Sequence, residues 1–215
     1  MLNVDGIVTV TGGQIDEPVA AIIGLGANQG DRFATLLAAW GLLGSHGQIS
    51  TELLSRPFIS EPVEMDSSAP FVNAAGKIRT SLGASALLAV LHETEQCLGR
   101  TRERQTKRYQ DRTIDLDLIY YGDACIRSSE LIVPHPRLVE RLFVLAPLIE
   151  IDAGMIDPLR GCSVGELHRR LVARISKGEI ASQEIAATLW PESSDEDDVL
   201  ADTAQTINSK GRGSR

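Results

Sequence analysis

Asp115 and Asp117 stand two residues apart in the run Thr113, Ile114, Asp115, Leu116, Asp117, Leu118, Ile119. On a β-strand, side chains two apart share a face, so this spacing predicts both carboxylates on one side with Ile114, Leu116 and Leu118 on the other. Two anions one pleat apart repel, and burying them without partners costs at least several kcal/mol. That face therefore needs open water or a cation. Magnesium is one such cation: it prefers hard oxygen donors, keeps several waters, and is commonly held by one or two carboxylates together with substrate phosphates. A solvated edge strand satisfies the same requirement, so the pair alone leaves both readings open.

The residues just before the pair narrow the chemistry. Arg100, Arg102, Arg104, Lys107, Arg108 and Arg112 face only Glu103 and Asp111 in the same stretch. A cationic loop on a chain whose net charge is −8 points to a small polyanion rather than to nucleic acid or an anionic membrane. Phosphoryl-type transfer needs in-line placement and cancellation of oxygen charge, which divalent metals and guanidinium groups supply. A solvated charged loop is the plain alternative. Familiar nucleotide motifs are missing: after Gly24 and Gly26 comes Gln29 where G-x-G-x-x-G needs a glycine, and no G-x-x-x-x-G-K-[ST] occurs. Gly24 and Gly26 are accordingly read as parts of a strand-to-helix turn. Aromatic residues make up 4% of the chain, so Phe71 near Asn73 and Phe143 near Arg141 stand out. Two rings and an amide suit a planar heterocycle, although core packing explains each phenylalanine as well. His92 and Glu95, at i and i+3, read as a surface helix pair, and His135 between Pro134 and Pro136 as a turn residue.

The elements that must position these groups follow from patterning. Residues 19–25 read as a buried strand, 26–31 as a turn whose Asp31 caps a helix to about Leu43, and 49–58 as a second strand. Residues 71–80 have strand character. Leu87, Val90, Leu91, Thr94 and Leu98 share one face of a helix over 84–98, with Gly99 where a terminating glycine belongs. Further strands are expected over 112–123 and 130–136, and a helix over 137–149. Ser163 with Glu166 forms a capping box for a last helix to about Ile175. This order predicts an α+β sandwich with a largely antiparallel sheet flanked by helices. The domain is expected over 19–180, with 1–18 a flexible leader and 190–215 a disordered acidic tail. Cys97, Cys125 and Cys162 are odd in number and form no C-x-x-C pair, as expected of reduced thiols in a cytoplasmic protein. Neither a signal peptide nor an apolar run long enough to span a membrane is found.

Taken in order, six stretches resemble the 6-hydroxymethyl-7,8-dihydropterin pyrophosphokinase family: AIIGLGANQGD (21–31), SEPV (60–63), FVNAA (71–75), E-x-x-x-G-R-x-R from Glu95 to Arg102, DRTIDLDLIYYG (111–122) and VPHPRLVERLFVLAPLIEI (133–151). The resemblance implies a ferredoxin-like sandwich, two Mg2+ ions, and transfer of pyrophosphate from ATP to the pterin hydroxymethyl group with release of AMP. It implies that Asp115 and Asp117 hold the metal ions and that Arg100 and Arg112 stabilise the transferring group. Phe71 and Phe143 would sandwich the pterin, Asn73 would bond its edge, and Ser60 and Val63 would line the pocket. His92, Glu95, Arg102, Leu118, His135 and Arg141 would meet the nucleotide. A monomer acting on ATP and hydroxymethyldihydropterin, without nucleic acid or membrane, is the implied unit.

Tyr109 stands where the family usually has tryptophan, and Asp111 where it has proline, in a loop about two residues longer than usual. These departures bear on loop closure and rate rather than on the reaction. Ser60 in place of a common threonine keeps the hydroxyl. Two other functions compete: a pterin- or nucleotide-binding regulator without turnover, and a nucleic-acid module using the basic loop. The negative charge and scarce aromatics weigh against the second.

Overall fold

The computed structural model describes residues 17–62, 69–100 and 113–191. Among them, eight strands and four α-helices alternate irregularly. β1 (Val19–Ala27) is followed by α1 (Arg32–Ser45), β2 (Ile49–Leu54), β3 (Phe58–Ser60), β4 (Phe71–Thr80) and α2 (Ala84–Cys97). Then come β5 (Asp115–Tyr121), β6 (Ile126–Arg127), β7 (Ile132–Val133), a single 3-10 turn at Leu138–Glu140, α3 (Leu142–Asp152), α4 (Val164–Ser176) and β8 (Ile185–Ala187).

The main sheet runs β5-β1-β4-β3-β8, with β2 pairing β4 beside β3, and every pairing is antiparallel. Its two faces carry separate cores, as strand alternation requires, with one bulge in β5 that puts Ile119 and Tyr120 on the same face. Ile23, Leu25, Val72, Ala74, Leu116 and Leu118 pack with Leu36, Ala39 and Leu43 of α1 and Leu87 and Leu91 of α2. Ile22, Ala75, Ile119 and Tyr120 pack on the other face with Leu145 and Leu148 of α3 and Leu167 and Leu171 of α4. This is the expected antiparallel α+β sandwich.

Several boundaries differ from the sequence reading. The strand expected over 49–58 breaks at residues 55–57, where Pro57 has no N–H and Ser55 takes over the bonding: its N–H donates to the Ala75 carbonyl, and its Oγ accepts from Ala75 N at 3.0 Å. The strand expected over 130–136 shrinks to β7, which pairs only with β6 in a small separate ribbon. The expected helix 137–149 splits, because Arg141 is extended at φ −119°, ψ 105°. The helix that follows passes through Pro147, whose burial in the apolar core offsets the missing hydrogen bond. Most consequentially, the sheet continues past residue 180 to include β8. The proposed 1–18 leader falls almost wholly outside the described residues, as does the acidic tail beyond 191.

Candidate active site

Strand register builds the site floor. Asp115 lies opposite Gly26 and Asp117 opposite Gly24 across β1, while β4 places Asn73 opposite Gly26 and Ala75 opposite Gly24. Directly paired residues share a face, so the two carboxylates, two positions without side chains, and Asn73 all belong to one patch. This corrects the reading of Gly24 and Gly26 as turn residues: both are inside β1. A Cβ at Gly26 would come within 3.3 Å of Asn73 Oδ1, and one at Gly24 within 3.2 Å of Ile119 Cδ1. The missing side chains therefore leave a hollow in front of the aspartates. The spacing of the glycines, two residues apart like the aspartates, was the signal that sequence reasoning passed over.

The hollow opens into a cavity of about 770 Å³, mouth included. Ser60, Glu61, Phe71 and Asn73 form one wall, Asp115, Asp117 and Ile119 another, and Arg141, Phe143, Val144 and Leu148 a third. Asn73, buried, donates from Nδ2 to Ser60 Oγ at 3.0 Å, which fixes its amide plane. Arg141 Cζ lies 5.5 Å from the centre of the Phe143 ring, a cation–π contact that stiffens this wall.

A glycine turn sets the cationic group. Gly99, at φ +84°, lets Gly99 N–H return to the Gln96 carbonyl and Arg100 N–H to the Glu95 carbonyl, the paired bonds of a Schellman ending. Arg100 is thereby turned back toward α2, where its guanidinium bonds Glu95 and reaches Asp115 Oδ1 at 2.7 Å. Glu95 is only 1% exposed and also accepts from Leu116 N at 2.8 Å. It is therefore a buried link between α2, β5 and Arg100, where helical spacing had suggested a surface position.

Leu118 falls on the opposite face, buried under the α1 and α2 core, because strand alternation separates it from Asp117. Any contact it makes with a ligand runs through its main chain. His135 donates its N–H to the Ile119 carbonyl at 3.0 Å, and its ring Nδ1 is buried without a hydrogen-bond partner among the described residues. Burial first and the Arg141 charge second push its pKa down to about 4, so the imidazole is neutral at pH 7. His92 is half-buried on α2 and does not line the cavity. Val63, Arg102 and Arg112 lie outside the described residues, as do Tyr109 and Asp111.

The two carboxylates suit a hard divalent ion. They are oxygen donors on one partly exposed face, and the adjoining glycines leave room for substrate phosphates as further ligands. No group of three or more potential metal ligands occurs among the described residues.

An acidic strand face with a guanidinium pinned to it thus opens on a ring-walled pocket of the α+β sandwich. The family model for 7,8-dihydro-6-hydroxymethylpterin-pyrophosphokinase matches residues 22–153, and the chain belongs to that family. It is 44% identical over 131 residues to the 2-amino-4-hydroxy-6-hydroxymethyldihydropteridine pyrophosphokinase of Bacillus subtilis, covering 61% of this chain and 77% of that one. The enzyme of the same name from Synechocystis is 33% identical over 175 residues, covering 80% and 86%. A mitochondrial folate synthesis bifunctional protein of Arabidopsis thaliana is 38% identical, but the chain spans only 24% of its length. Among solved structures, the wild-type HPPK-DHPS of Plasmodium falciparum superposes with a TM-score of 0.62 at 11% identity, over 75% of this chain and 46% of that one. At that identity the likeness speaks for the fold.

Proposed function

We propose that the cavity walled by Phe71, Asn73 and Phe143 holds the pterin, and that the Asp115–Asp117 face holds the polyphosphate of ATP through magnesium. As a member of its family the chain is an ATP-dependent diphosphokinase of folate biosynthesis, transferring pyrophosphate from ATP to 6-hydroxymethyl-7,8-dihydropterin. The observation that carries the site assignment is the cross-strand patch in which both aspartates face Gly24 and Gly26 at the mouth of the pocket. The pterin hydroxyl oxygen attacks the β-phosphorus in line; a new P–O bond forms there, the hydroxyl proton passes to solvent, and the bond to the α,β-bridging oxygen breaks, releasing AMP. Two magnesium ions held by Asp115 and Asp117 would neutralise phosphate charge as it shifts toward that leaving oxygen. Arg100, already oriented by Glu95 and Asp115, is placed to stabilise the transferring group, a role shared with Arg112. Phe71 and Phe143 take the faces of the heterocycle, Asn73 its edge, and Ser60 and Val63 its rim. His92, Glu95, Arg102, Leu118, His135 and Arg141 form the nucleotide side, with Glu95 acting through Arg100 and Leu118 through its backbone. No helix among the described residues is long and apolar enough to cross a membrane. A cytoplasmic monomer with a 19–180 catalytic domain, extended by the strand that ends at Ala187, is the unit proposed.

Incubation with ATP, magnesium and hydroxymethyldihydropterin should release AMP in step with pterin diphosphate. Binding of both ligands without AMP would replace this reading with the regulator. Asp117→Ala should cost about 4 kcal/mol of transition-state stabilisation, on the order of a thousandfold in kcat, with folding retained. Turnover near that of the parent, with the same magnesium dependence, would remove Asp117 from the metal-holding role.

A further inference from the structure

The segment after α4 lies beyond the matched 22–153, yet it grips two walls of the cavity. Ile185 pairs with Ser60 and Ala187 with Phe58, the Glu61 N–H donates to the Glu184 carbonyl at 3.4 Å, and Thr188 N–H donates to the Pro57 carbonyl at 2.9 Å. Trp190 anchors the far end: its Nε1–H donates to the Ser55 carbonyl at 3.0 Å, and its ring meets Phe33 edge-on at 6.4 Å. This fastens the strap to β3, whose Ser60 lines the pocket.

At the near end a single side chain reaches the opposite wall. Gln183 accepts from Leu142 N through Oε1 at 2.7 Å and donates through Nε2 to the Glu140 carbonyl, also at 2.7 Å. These two groups flank Arg141, which is extended and gives α3 no side-chain cap. In an extended residue's neighbours, the preceding carbonyl and the following N–H point the same way, so one carboxamide can bond both as a strand partner would. One N–H left open at the helix start is thereby satisfied from forty-one residues away in the chain.

We propose that Gln183 is a positioning residue for this reaction: by clamping Glu140 and Leu142 it holds Arg141 and Phe143 in the cavity wall, and β8 ties that wall to the Ser60 side. The proposal rests on the pyrophosphokinase reading for its consequence in turnover, but the clamp itself is testable without ligand. Gln183→Leu keeps the bulk and removes both bonds. In the ligand-free full-length chain, amide exchange over Leu142–Val144 should quicken at least about tenfold while the thermal midpoint moves little. With substrates, KM for pterin and for ATP should both rise about tenfold, a change a mere loss of folded protein would not make, since that lowers apparent kcat alone. Gln183→Glu, which keeps the acceptor for Leu142 but loses the donor to Glu140, should recover part of both effects. Unchanged exchange together with unchanged KM values in Gln183→Leu would overturn the proposal. If the parent chain releases no AMP, the reaction assignment fails, and the exchange measurement alone then decides for or against the clamp.

Discussion

Glu95 shows how much one buried carboxylate organises. At 1% exposure it accepts from both the Arg100 guanidinium and the Leu116 N–H, bonds that offset the cost of burying it. Arg100→Ala should therefore do two things at once: destabilise the fold by about 3 kcal/mol, by removing a guanidinium bonded to a buried carboxylate, and lower kcat by on the order of a hundredfold. Urea unfolding reads the first, and AMP release well below the thermal midpoint reads the second. If only stability falls, Arg100 is structural. His135 gives a pH-dependent counterpart. Its pKa is held at about 4 by burial and by Arg141, against 6.5 when unfolded. Between those values the unfolded chain binds the extra proton, so stability should decline as pH drops from about 6.5 toward 4, by at most about 1.4 kcal/mol per pH unit from this group. His168, also lowered by burial, adds slope of the same sign. The difference between the parent chain and His135→Gln isolates the His135 share; identical slopes in urea titrations across that window would show the imidazole to be unperturbed.

At the scale of elements, helix placement depends on local fits. Trp40 of α1 lies where a side chain at Gly76 of β4 would be, with its Cζ3 overlapping an added Cβ. Gly76→Ala should consequently cost about 1 to 3 kcal/mol in urea unfolding by pushing α1 off the sheet. Pairing it with Trp40→Leu should recover a good part of that loss; additive losses would mean that the ring is not what Gly76 accommodates. α4 shows the opposite case, a helix end legible in advance. Ser163 Oγ accepts from Glu166 N at 3.2 Å, as the capping pattern required. The Glu166 carboxylate, however, goes to Arg169 and Arg170, so only half of the expected box is seen. Those bonds draw its pKa below the usual range.

For the whole molecule, the sheet is completed by residues far from the site in sequence. β8 covers the outer edge of β3, which would otherwise present unpaired backbone groups beside the pocket. A chain ending at residue 180 should lose the Gln183 clamp, the β8 edge and the Trp190 anchor together. We expect a lower thermal midpoint, concentration-dependent association and a large loss of turnover. A chain ending at residue 191 should keep the activity of the 215-residue chain. Light scattering and AMP release on the two truncations would test this, and equal behaviour of both would show the strap to be dispensable.

The D-x-D spacing, the helix signals at Asp31, Gly99 and Ser163, and the strand over 71–80 were legible because each rests on local rules: side-chain period, capping and left-handed glycine. The ordered set of stretches was enough to place the chain in its family. What local rules do not carry is which strands meet. That Gly24 and Gly26 lie opposite the aspartates, that Glu95 turns inward, that Leu118 faces away from the cavity, and that Gln183 reaches residues 140 and 142 all depend on register and packing between segments distant in the chain. Such pairings are decided by how the two faces of the sheet bury their apolar residues together, and only the folded molecule displays that.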